Sequence, residues 1–544
     1  MKKLFIVVPL IALFFIACNN AADTNEKSSK KDKRISSRNY GINRSNSYSD
    51  LFLDSAAVEK FIGEKKIPDS IAWRIRSFYN ARNYQFAWFS SDGLTEQARG
   101  FWNLHNNYTS STNDTTLNNK SLKKRMDKLI SEEKLFPSSK NKTYINTEVE
   151  LTTQFIRHTL QAYDRDYVKR KEMERFVPFH KREALEYADS LVSKKHKDDK
   201  YYEDINPTYG LLKDQLALYT AIQKKGGWPL IQAKKKLYKK GTKAPEIVAI
   251  KKRLQLTGDI VTPDTTQVFD STLQNGVKHF QQRHGLKTDG VINETTLKAM
   301  NVPVSHRIQQ LLINMDRMRW LPSQPNGNLI VVNIPEFKLY VIEGKQRIFD
   351  MNVVVGKDGH DTRIFTGNLN QVVFSPYWNV PESIVEKEII PAMEKDPHYL
   401  EKENMEITGE EDGLPVVRQL PGEKNALGKV KFLFPNSFNI YFHDTPSKSL
   451  FASDKRAFSH GCIRLSDPKK MAEYLLRNDP KWPESKIEEA MNSGEEKFVK
   501  LKKSVPVIIA YYTAWVDEKG LLNFRDDIYG HDASLYQKMF TKVY

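Results

Sequence analysis

RAFSHGCIRLSD, which spans Arg456–Asp467, is the stretch on which the interpretation of this chain depends. It contains Cys462, one of only two cysteines among 544 residues. Gly461 allows a close backbone approach beside the thiol, and the Ser-Asp-Pro sequence that begins at Ser466 predicts a capped helix start. The pattern therefore places the cysteine on a tight strand-to-helix passage. An isolated thiol in such a place is either a small buried side chain or a reactive nucleophile.

A histidine upstream of this stretch favours the nucleophile. The sequence FNIYFHDTPSKSLF predicts a strand over Ile440 to Phe442 that presents His443 just beyond its end. A neighbouring imidazole can take the proton of a thiol and later pass it to a leaving amine. A structural thiol and a metal site stay open as alternatives, although the sequence offers no fourth metal ligand. A papain-like protease is disfavoured, because its cysteine opens a helix near the mature amino terminus.

The spacing of these residues resembles a known signature. His443, then fifteen residues, then Ser459-His460-Gly461-Cys462 is similar to the active-site pattern of the L,D-transpeptidase (YkuD-like) family. The stretches HDTPSKSLF, RQLPGEKNALGKVKF and FRDDIYGHD resemble its large scaffolded branch. In that branch a peptidoglycan-binding module precedes the catalytic domain, and a capping subdomain interrupts it.

The resemblance implies a role for each residue that matches the signature. Cys462 would be the nucleophile and His443 the general base and acid, with the main-chain carbonyl of Asp444 orienting the imidazole. The amide of Gly461 would stabilise the oxyanion. Further residues would contact the substrate: Ser459, His460, Arg464, Trp378 and Tyr441.

Two departures from smaller family members leave roles open. Those members have glycine where Asp444 stands and asparagine where Arg464 stands. The two aromatic side chains, Trp378 and Tyr441, suit either a peptide groove or the core.

The implied reaction uses peptidoglycan stem peptides and needs no cofactor or metal. The thiolate would attack the carbonyl of the third stem residue, expel the terminal D-alanine and pass the acyl group to a second stem. The product is a 3→3 cross-link, a step of cell wall biogenesis that maintains cell shape. Two alternatives remain: a wall hydrolase, either an L,D-carboxypeptidase or an endopeptidase, with the same residues, and a non-catalytic peptidoglycan-binding lipoprotein.

Patterning divides the rest of the chain into a multidomain α+β architecture. Residues 50–240 predict an α-helical scaffold domain, because apolar residues recur there at spacings of three and four. Alternating strands predict a β-rich catalytic domain over 328–544, interrupted at 381–413 by a helical, charged capping insertion. That insertion is either a lid or a static packing element.

Residues 243–302 predict three short helices between these domains. They resemble the peptidoglycan-binding three-helix module, at Phe280, Gln281, Gly285, Leu286, Asp289, Gly290, Thr295 and Leu297. These residues either serve the ligand or form only the core and turns of the bundle. The lysine-rich passage Lys234–Glu246 just before the module is expected to be a linker.

The amino terminus predicts export. Residues 1–18, MKKLFIVVPLIALFFIAC, combine two lysines with an apolar run too short to span a membrane, although a transmembrane anchor stays the alternative. Ala17-Cys18 resembles the lipobox of bacterial lipoproteins, which implies lipidation of Cys18 and a periplasmic, membrane-anchored protein. Residues 19–49 are expected to be a flexible tether. The net charge of +17 would then serve wall carboxylates or lipid headgroups rather than nucleic acid.

Overall fold

The computed structural model describes residues 35–112, 115–132, 134–162, 170–193, 207–320, 327–344 and 346–541. The predicted export segment, Cys18 and the tether up to residue 34 lie outside these ranges. The chain divides into two compact units. The first comprises the chain up to Ala98 with Asp114–Arg125 and Lys134–Lys181, and the second comprises Arg99–Asn113, Met126–Glu133 and Arg182–Tyr544.

Helices dominate the sequence before the catalytic domain. They are α1 (Ser55–Glu64), α2 (Asp69–Ala81), α3 (Glu96–Ser111), α4 (Lys120–Ser131), α5 (Lys142–Ala162), α6 (Arg170–Phe176), α7 (Ala184–Val192), α8 (Pro207–Lys224), α9 (Glu246–Leu256), α10 (Ser271–Arg283), α11 (Glu294–Met300) and α12 (Val304–Met318). A two-stranded hairpin, β1 (Phe89–Ser90) and β2 (Gly93–Leu94), lies between α2 and α3. None of the helices in the described part of the chain has the length and apolarity needed to cross a bilayer.

A buried carboxylate organises the first unit. Glu148 accepts hydrogen bonds from the backbone N–H groups of Ala87 (2.7 Å) and Trp88 (3.0 Å), and from the hydroxyl of Tyr79 (3.1 Å). Burial raises the pKa of Glu148 to about 7, although these hydrogen bonds oppose the shift. The contacts tie α2 and the segment before the hairpin to α5.

The last part of the predicted tether is folded. Ile42 and Tyr48 are buried, and the Tyr48 hydroxyl donates to Gln97 at 2.5 Å. Ser36 donates to Glu174 at 2.8 Å. The expectation of a flexible segment up to residue 49 is therefore wrong from residue 35 onward. Its cause is that Ile42 and Tyr48, which lie among Ser and Asn residues, are buried in the core of the first unit.

The region predicted as the scaffold domain is divided between the two compact units. Helices α7 and α8 belong to the second unit, where α8 packs against α7 and α12. The described residues between 182 and 240 thus belong to the same unit as the catalytic sheet. Composition could not reveal this division, because the amphipathic pattern is similar on both sides of it.

Helices α9 to α11 form the small module, and the face predicted from periodicity is its core. Ile247, Ile250 and Leu254 pack against Leu273, Val277 and Phe280. The expected linker is part of the module: Tyr238 is buried in the same core and exchanges backbone hydrogen bonds with Ile292, both 2.9 Å. The linker was expected because of the high lysine content, which gave no indication that Tyr238 is buried.

Nine strands form the catalytic sheet, in the order β12-β5-β13-β11-β10-β6-β14-β3-β4, and β4 also pairs with β5, which closes the sheet on itself. The strands are β3 (Asn328–Asn333), β4 (Lys338–Glu343), β5 (Gln346–Gly356), β6 (Phe365–Phe374), β10 (Val430–Leu433), β11 (Phe442–His443), β12 (Ala457–Ser459), β13 (Ile463–Leu465) and β14 (Lys497–Ala510). Helices α16 (Pro468–Leu476) and α17 (Glu484–Asn492) pack on its apolar face. A hairpin, β15 (Ala514–Val516) and β16 (Leu522–Phe524), and helix α18 (His531–Met539) follow.

The capping insertion is a small α/β element. It comprises β7 (Trp378–Asn379), α13 (Glu382–Ile384), a π-helical turn (Val385–Ile389), α14 (Ile390–Lys395), α15 (Tyr399–Lys402), β8 (Met405–Glu411) and β9 (Leu414–Gln419). Strands β7, β9 and β8 form a separate three-stranded sheet. The insertion therefore runs from Trp378 to Gln419, beyond the predicted 381–413, and its charged second half is a hairpin rather than a helix.

Candidate active site

Strand alternation places the predicted residues on one face of the sheet. Strand β11 pairs in parallel with β13, with Phe442 opposite Ile463 and His443 opposite Arg464. Phe442 and Ile463 are fully buried in the core. Because neighbouring residues of a strand point to opposite faces, His443 and Arg464 lie on the face away from that core.

The same alternation extends to the preceding residue on each strand. Tyr441 precedes Phe442, and its ring centroid lies 5.8 Å from that of His443. Cys462 precedes Ile463, whose N–H donates to the Tyr441 carbonyl at 3.2 Å. The structure thus brings the thiol and the imidazole to the same face of two adjacent strands.

A tight turn between β12 and β13 holds the cysteine. Ser459 Oγ donates to the Cys462 carbonyl at 2.6 Å and accepts from the Gly461 N–H at 3.2 Å. Thr362 Oγ1 donates to the Gly461 carbonyl at 2.8 Å. Gly461 has φ +113°, which favours glycine. The expected strand-to-helix passage is wrong in this respect, because β13 intervenes before α16 begins, with Asp467 as its cap.

The thiol rests in a polar, half-buried position. Its S–H donates to the Asn439 carbonyl at 3.6 Å, and the Tyr441 hydroxyl hydrogen-bonds to the sulfur. Burial raises the pKa of Cys462, and Tyr441 and Arg464 partly oppose the shift. In the described residues no hydrogen bond joins the sulfur to His443, so the resting cysteine is a neutral thiol turned toward Asn439.

His443 has a fixed tautomer. Its Nδ1 lies 2.5 Å from the main-chain carbonyl of Asp444. Because a carbonyl only accepts, Nδ1 carries the proton and Nε2 is left with a free lone pair. Burial, together with the nearby Arg464, lowers the pKa of His443 to about 3, against the opposing effect of Asp444. The imidazole is therefore neutral at neutral pH.

The Asp444 carboxylate fixes the peptide that carries this carbonyl. It accepts from the backbone N–H groups of Lys429 (2.9 Å) and Thr445 (2.7 Å) and from Lys448 Nζ (2.6 Å). Gly428, with φ +61°, leaves the space for this side chain, since a Cβ there would clash with the carboxylate. The residue that departs from smaller relatives thus anchors the position of the imidazole.

Two cations flank His443 on neighbouring strands. Lys431 lies opposite His443 on β10, and its ammonium is used by the protein, through the Tyr377 carbonyl (3.1 Å) and Glu496 (3.4 Å). Arg464 is different: its Nε is buried and has no hydrogen-bond partner in the described residues. A guanidinium left unpaired beside the thiol is available to an acceptor that enters the site.

The capping insertion reaches the same turn. His460 Nε2 lies 3.3 Å from Glu388 on the π-helical turn, and its ring packs edge-on against His360 with centroids 4.7 Å apart. Burial lowers the pKa of His460, and Glu388 opposes the shift. Trp378, predicted to line the cleft, is half-buried and packs against the apolar cluster of the insertion instead.

The structure thus gathers most of the predicted residues but leaves their roles as predictions. The Gly461 N–H already donates to Ser459, whereas the Cys462 N–H has no partner in the described part of the chain. Sequence reasoning missed the residues that support the turn from elsewhere: Thr362, Asn439, Lys431, Glu388 and Tyr529. Three of them lie in quoted stretches: Tyr529, which donates to the Gly356 carbonyl at 2.6 Å, in FRDDIYGHD, Lys431 in RQLPGEKNALGKVKF and Asn439 in FNIYFHDTPSKSLF. Among the described residues, no three His, Cys, Asp or Glu side chains converge as a metal site.

Comparison with known families assigns three regions of the chain. Residues 327–509 match the YkuD model, described as "L,D-transpeptidase catalytic domain". Residues 243–300 match a "Putative peptidoglycan binding domain", and residues 74–216 match a "Scaffold domain". The first match contains every predicted catalytic residue.

Individual relatives agree with this assignment. A Haemophilus influenzae protein named "Putative L,D-transpeptidase" is 32% identical over 247 residues, which cover 42% of this chain and 50% of that protein. The chain thus spans about half the length of this curated relative.

Solved L,D-transpeptidases from Stackebrandtia nassauensis and Mycobacterium smegmatis are also similar, each 16% identical. They cover 50% and 34% of this chain and 94% and 58% of their own, with TM-scores of 0.22 and 0.19, too low to carry an argument. The family matches are what assign the regions: the chain carries a YkuD L,D-transpeptidase catalytic domain, preceded by a peptidoglycan-binding domain and a scaffold domain.

Proposed function

We propose that this chain forms 3→3 cross-links between peptidoglycan stem peptides through an acyl-enzyme on Cys462. The observation that carries the proposal is the placement of a thiol and an imidazole of fixed tautomer on the same face of two neighbouring strands. His443 has its only free lone pair at Nε2, which is where a base must accept a proton. A purely structural cysteine has no need of such a partner.

The first half-reaction transfers an acyl group. The Cys462 sulfur turns from the Asn439 carbonyl toward His443, which is a rotation about one side-chain bond. Its proton passes to Nε2 as the sulfur attacks the carbonyl carbon of the third stem residue. The C–N bond to the terminal D-alanine then breaks, and the imidazolium returns the proton to the leaving amine. The product is a thioester.

The surroundings of the thiol suit the charge that develops. Cys462 and His443 are neutral at rest, and proton transfer makes the sulfur negative and the imidazole positive. The nearby Arg464 would offset the negative charge on the sulfur or on the oxyanion. The N–H of Cys462, which has no partner in the described residues, would donate to the oxyanion, and Gly461 could add its own N–H only by sharing it with Ser459. Arg464 can alternatively pair with a substrate carboxylate.

The second half-reaction forms the cross-link. The side-chain amine of the third residue of another stem attacks the thioester, Nε2 takes its proton, and the thiol is restored. Water in place of that amine gives a shortened stem and makes the protein a hydrolase. The acceptor alone distinguishes the two activities.

Incubation of the purified protein with stem tetrapeptides tests the proposal. Mass analysis is expected to find dimers that have lost one terminal D-alanine and, transiently, a protein adduct of one acyl group. Shortened monomers without dimers would instead assign the hydrolase. No adduct and no product, from a protein that still binds the wall, would assign the non-catalytic lipoprotein.

The amino terminus adds a proposal about location. The sequence of residues 1–18 supports export and lipidation at Cys18, which would hold the enzyme beside its substrate. Incorporation of a labelled fatty acid by the wild type but not by Cys18→Ser tests it. Equal labelling of both forms would contradict it.

A further inference from the structure

The lysine-rich segment just before α9 carries a charge that the proposed function does not use. Between Trp228 and Glu246 it contains six lysines and one carboxylate, that of Glu246. All six are exposed: Lys234, Lys235, Lys236, Lys239, Lys240 and Lys243. We call these six residues the lysine patch.

The backbone of this segment is fixed by the module. The Tyr238 hydroxyl donates to Glu246 at 2.6 Å and accepts from the N–H groups of Lys234 (3.0 Å) and Lys235 (3.2 Å). Gly241 N–H donates to the Phe269 carbonyl at 2.8 Å. A buried tyrosine thus holds the segment while its lysines project into solvent, so binding through them costs little ordering of the backbone.

The charges of the patch are not neutralised within the protein. In the part of the chain that the structure describes, none of the six lysines forms an ion pair with a carboxylate. Other lysines of the same module do: Lys251 lies 3.6 Å from Asp270, and Lys298 lies 2.7 Å from Glu294. Lys235 Nζ donates to the Lys243 carbonyl at 3.3 Å, and Glu246 attracts Lys234 electrostatically, so the patch keeps a strong net positive charge for an anionic partner.

Exposed leucines accompany the lysines. Leu237 lies within the patch and is 46% exposed, and Leu230 lies four residues before Lys234 and is 66% exposed. A polyanion in water gains nothing from these side chains. A bilayer does, because its interface accepts apolar side chains while its anionic headgroups attract the lysines.

We propose that the lysine patch, with Leu230 and Leu237, binds the surface of an anionic lipid bilayer. This contact goes beyond the proposed reaction and is independent of lipid at Cys18. It would hold the peptidoglycan-binding module close to a membrane. No side chain of the catalytic site takes part.

Vesicle sedimentation tests the proposal with the chain from Asn19 onward, which lacks Cys18 and keeps every described residue. The vesicles are phosphatidylcholine with or without phosphatidylglycerol. One variant replaces four patch lysines with glutamine: Lys234, Lys235, Lys239 and Lys240. A matched control removes the same charge at four exposed lysines elsewhere: Lys395, Lys500, Lys503 and Lys519.

The wild type and the control are expected to bind only the anionic vesicles. The patch variant should bind at least tenfold more weakly, since each lysine near such a surface contributes about fivefold. Raising the salt from about 0.1 M to about 1 M should release the protein, because the Debye length falls from about 10 Å to about 3 Å. Leu230→Ser with Leu237→Ser should weaken vesicle binding severalfold without changing the unfolding temperature.

Three outcomes would overturn the proposal. Equal weakening in the control variant would assign binding to net charge alone. Unchanged vesicle binding by the patch variant, with weaker binding to purified cell walls, would assign the patch to a wall polymer. Vesicle binding that the leucine variant retains in full would exclude a bilayer contact of the proposed kind.

Discussion

The turn between β12 and β13 that holds Cys462, here called the catalytic turn, and the peptidoglycan-binding module both contain residues that match family patterns. The two regions differ in whether their buried polar groups have hydrogen-bond partners. Around Cys462 some polar groups are left without partners, namely Arg464 Nε and the N–H of Cys462. In the module, Gln281 is fully buried and satisfied: its amide donates to Asp289 (3.0 Å) and the Val291 carbonyl (2.9 Å), and its carbonyl accepts from the Gly290 N–H (2.8 Å).

This difference separates two meanings of a sequence match. A buried polar group without a partner is costly, and other such groups occur elsewhere in the described residues, for example Gln85 Oε1 and Arg456 Nε; beside a thiol and an imidazole it favours a ligand or a reaction. A polar group whose bonds are all internal stabilises a turn. The internal hydrogen bonds of Gln281 thus account for its part in the fold of the module, while the unpaired groups of the turn leave room for the chemistry that we propose.

The largest expected effect is on acyl transfer. Cys462→Ala removes the only sulfur of the site and should abolish the protein adduct and all cross-linked product. The half-buried position makes the loss of one sulfur nearly neutral for folding. Intact mass after incubation with stem tetrapeptides measures the adduct, and thermal unfolding is the control. Product formed at the wild-type rate by this variant would refute the nucleophile assignment. It would also refute the proposal that the unpaired polar groups around Cys462 serve a reaction.

The next effect concerns the module. Gln281→Leu has a similar shape but leaves the Gly290 N–H and the Val291 carbonyl without partners, which should lower the free energy of unfolding by about 2–4 kcal/mol. The adjacent exposed Gln282→Leu is the matched control and should change it by less than about 0.5 kcal/mol. Chemical denaturation measures both. Weaker wall binding by the Gln281 variant at unchanged stability would show instead that this residue contacts the ligand.

Removal of the unpaired guanidinium should act on both catalytic groups at once. Arg464 lowers the pKa of Cys462 and that of His443, so Arg464→Gln should raise both. The thiolate fraction at neutral pH then falls, and acylation should slow by about 10-fold to 100-fold.

Alkylation of the cysteine as a function of pH measures the shift directly. The inflection should move to higher pH in the Arg464→Gln variant, which mere loss of substrate contacts would not cause. An unmoved inflection together with a raised KM would assign Arg464 to substrate binding alone.

Much of this architecture follows from local pattern, and the exceptions have a common cause. Alternation predicted the strands of the catalytic domain, because a strand with one buried face must alternate, whereas the shared face of His443 and Arg464 follows from the pairing register. Helix caps at Asp467 and Asn293 were readable for the same local reason. Thr362 and Asn439 were not identified, since they meet the cysteine turn only through the pairing of β13 with β5 and β11, which local pattern does not specify.

Predictions of flexible segments from composition were wrong where a few apolar residues lie among many polar ones. Tyr48 and Tyr238 are each surrounded by turn-forming or charged residues, yet both are buried anchors. A single aromatic side chain can bury about 150–250 Å², enough to fix a segment that looks like a linker. The expectations of a flexible tether up to residue 49 and of a linker over Lys234–Glu246 were wrong for this reason.

The smallest expected effect tests whether the insertion communicates with the turn. His460 and Glu388 form an ion pair only when His460 is protonated, and both side chains are partly exposed, so the pair contributes well under 1 kcal/mol. Glu388 raises the pKa of His460, and Glu388→Gln should therefore lower it further. In its predicted substrate contact, a protonated His460 would attract a stem-peptide carboxylate, so acidification should lower the KM for stem peptides. The decrease should be smaller in this variant than in the wild type, by about twofold at most.

Glu386→Gln is the matched control, because Glu386 lies exposed on the same turn and has no ion pair in the described residues. The KM of wild type and both variants, measured between pH 5 and pH 8, separates a charge effect from a general effect on the turn. Identical profiles for all three proteins would mean that the insertion contacts His460 without influencing the substrate. In that case the polar contact with Glu388 belongs with the satisfied, structural bonds of the module rather than with the unsatisfied groups of the catalytic turn.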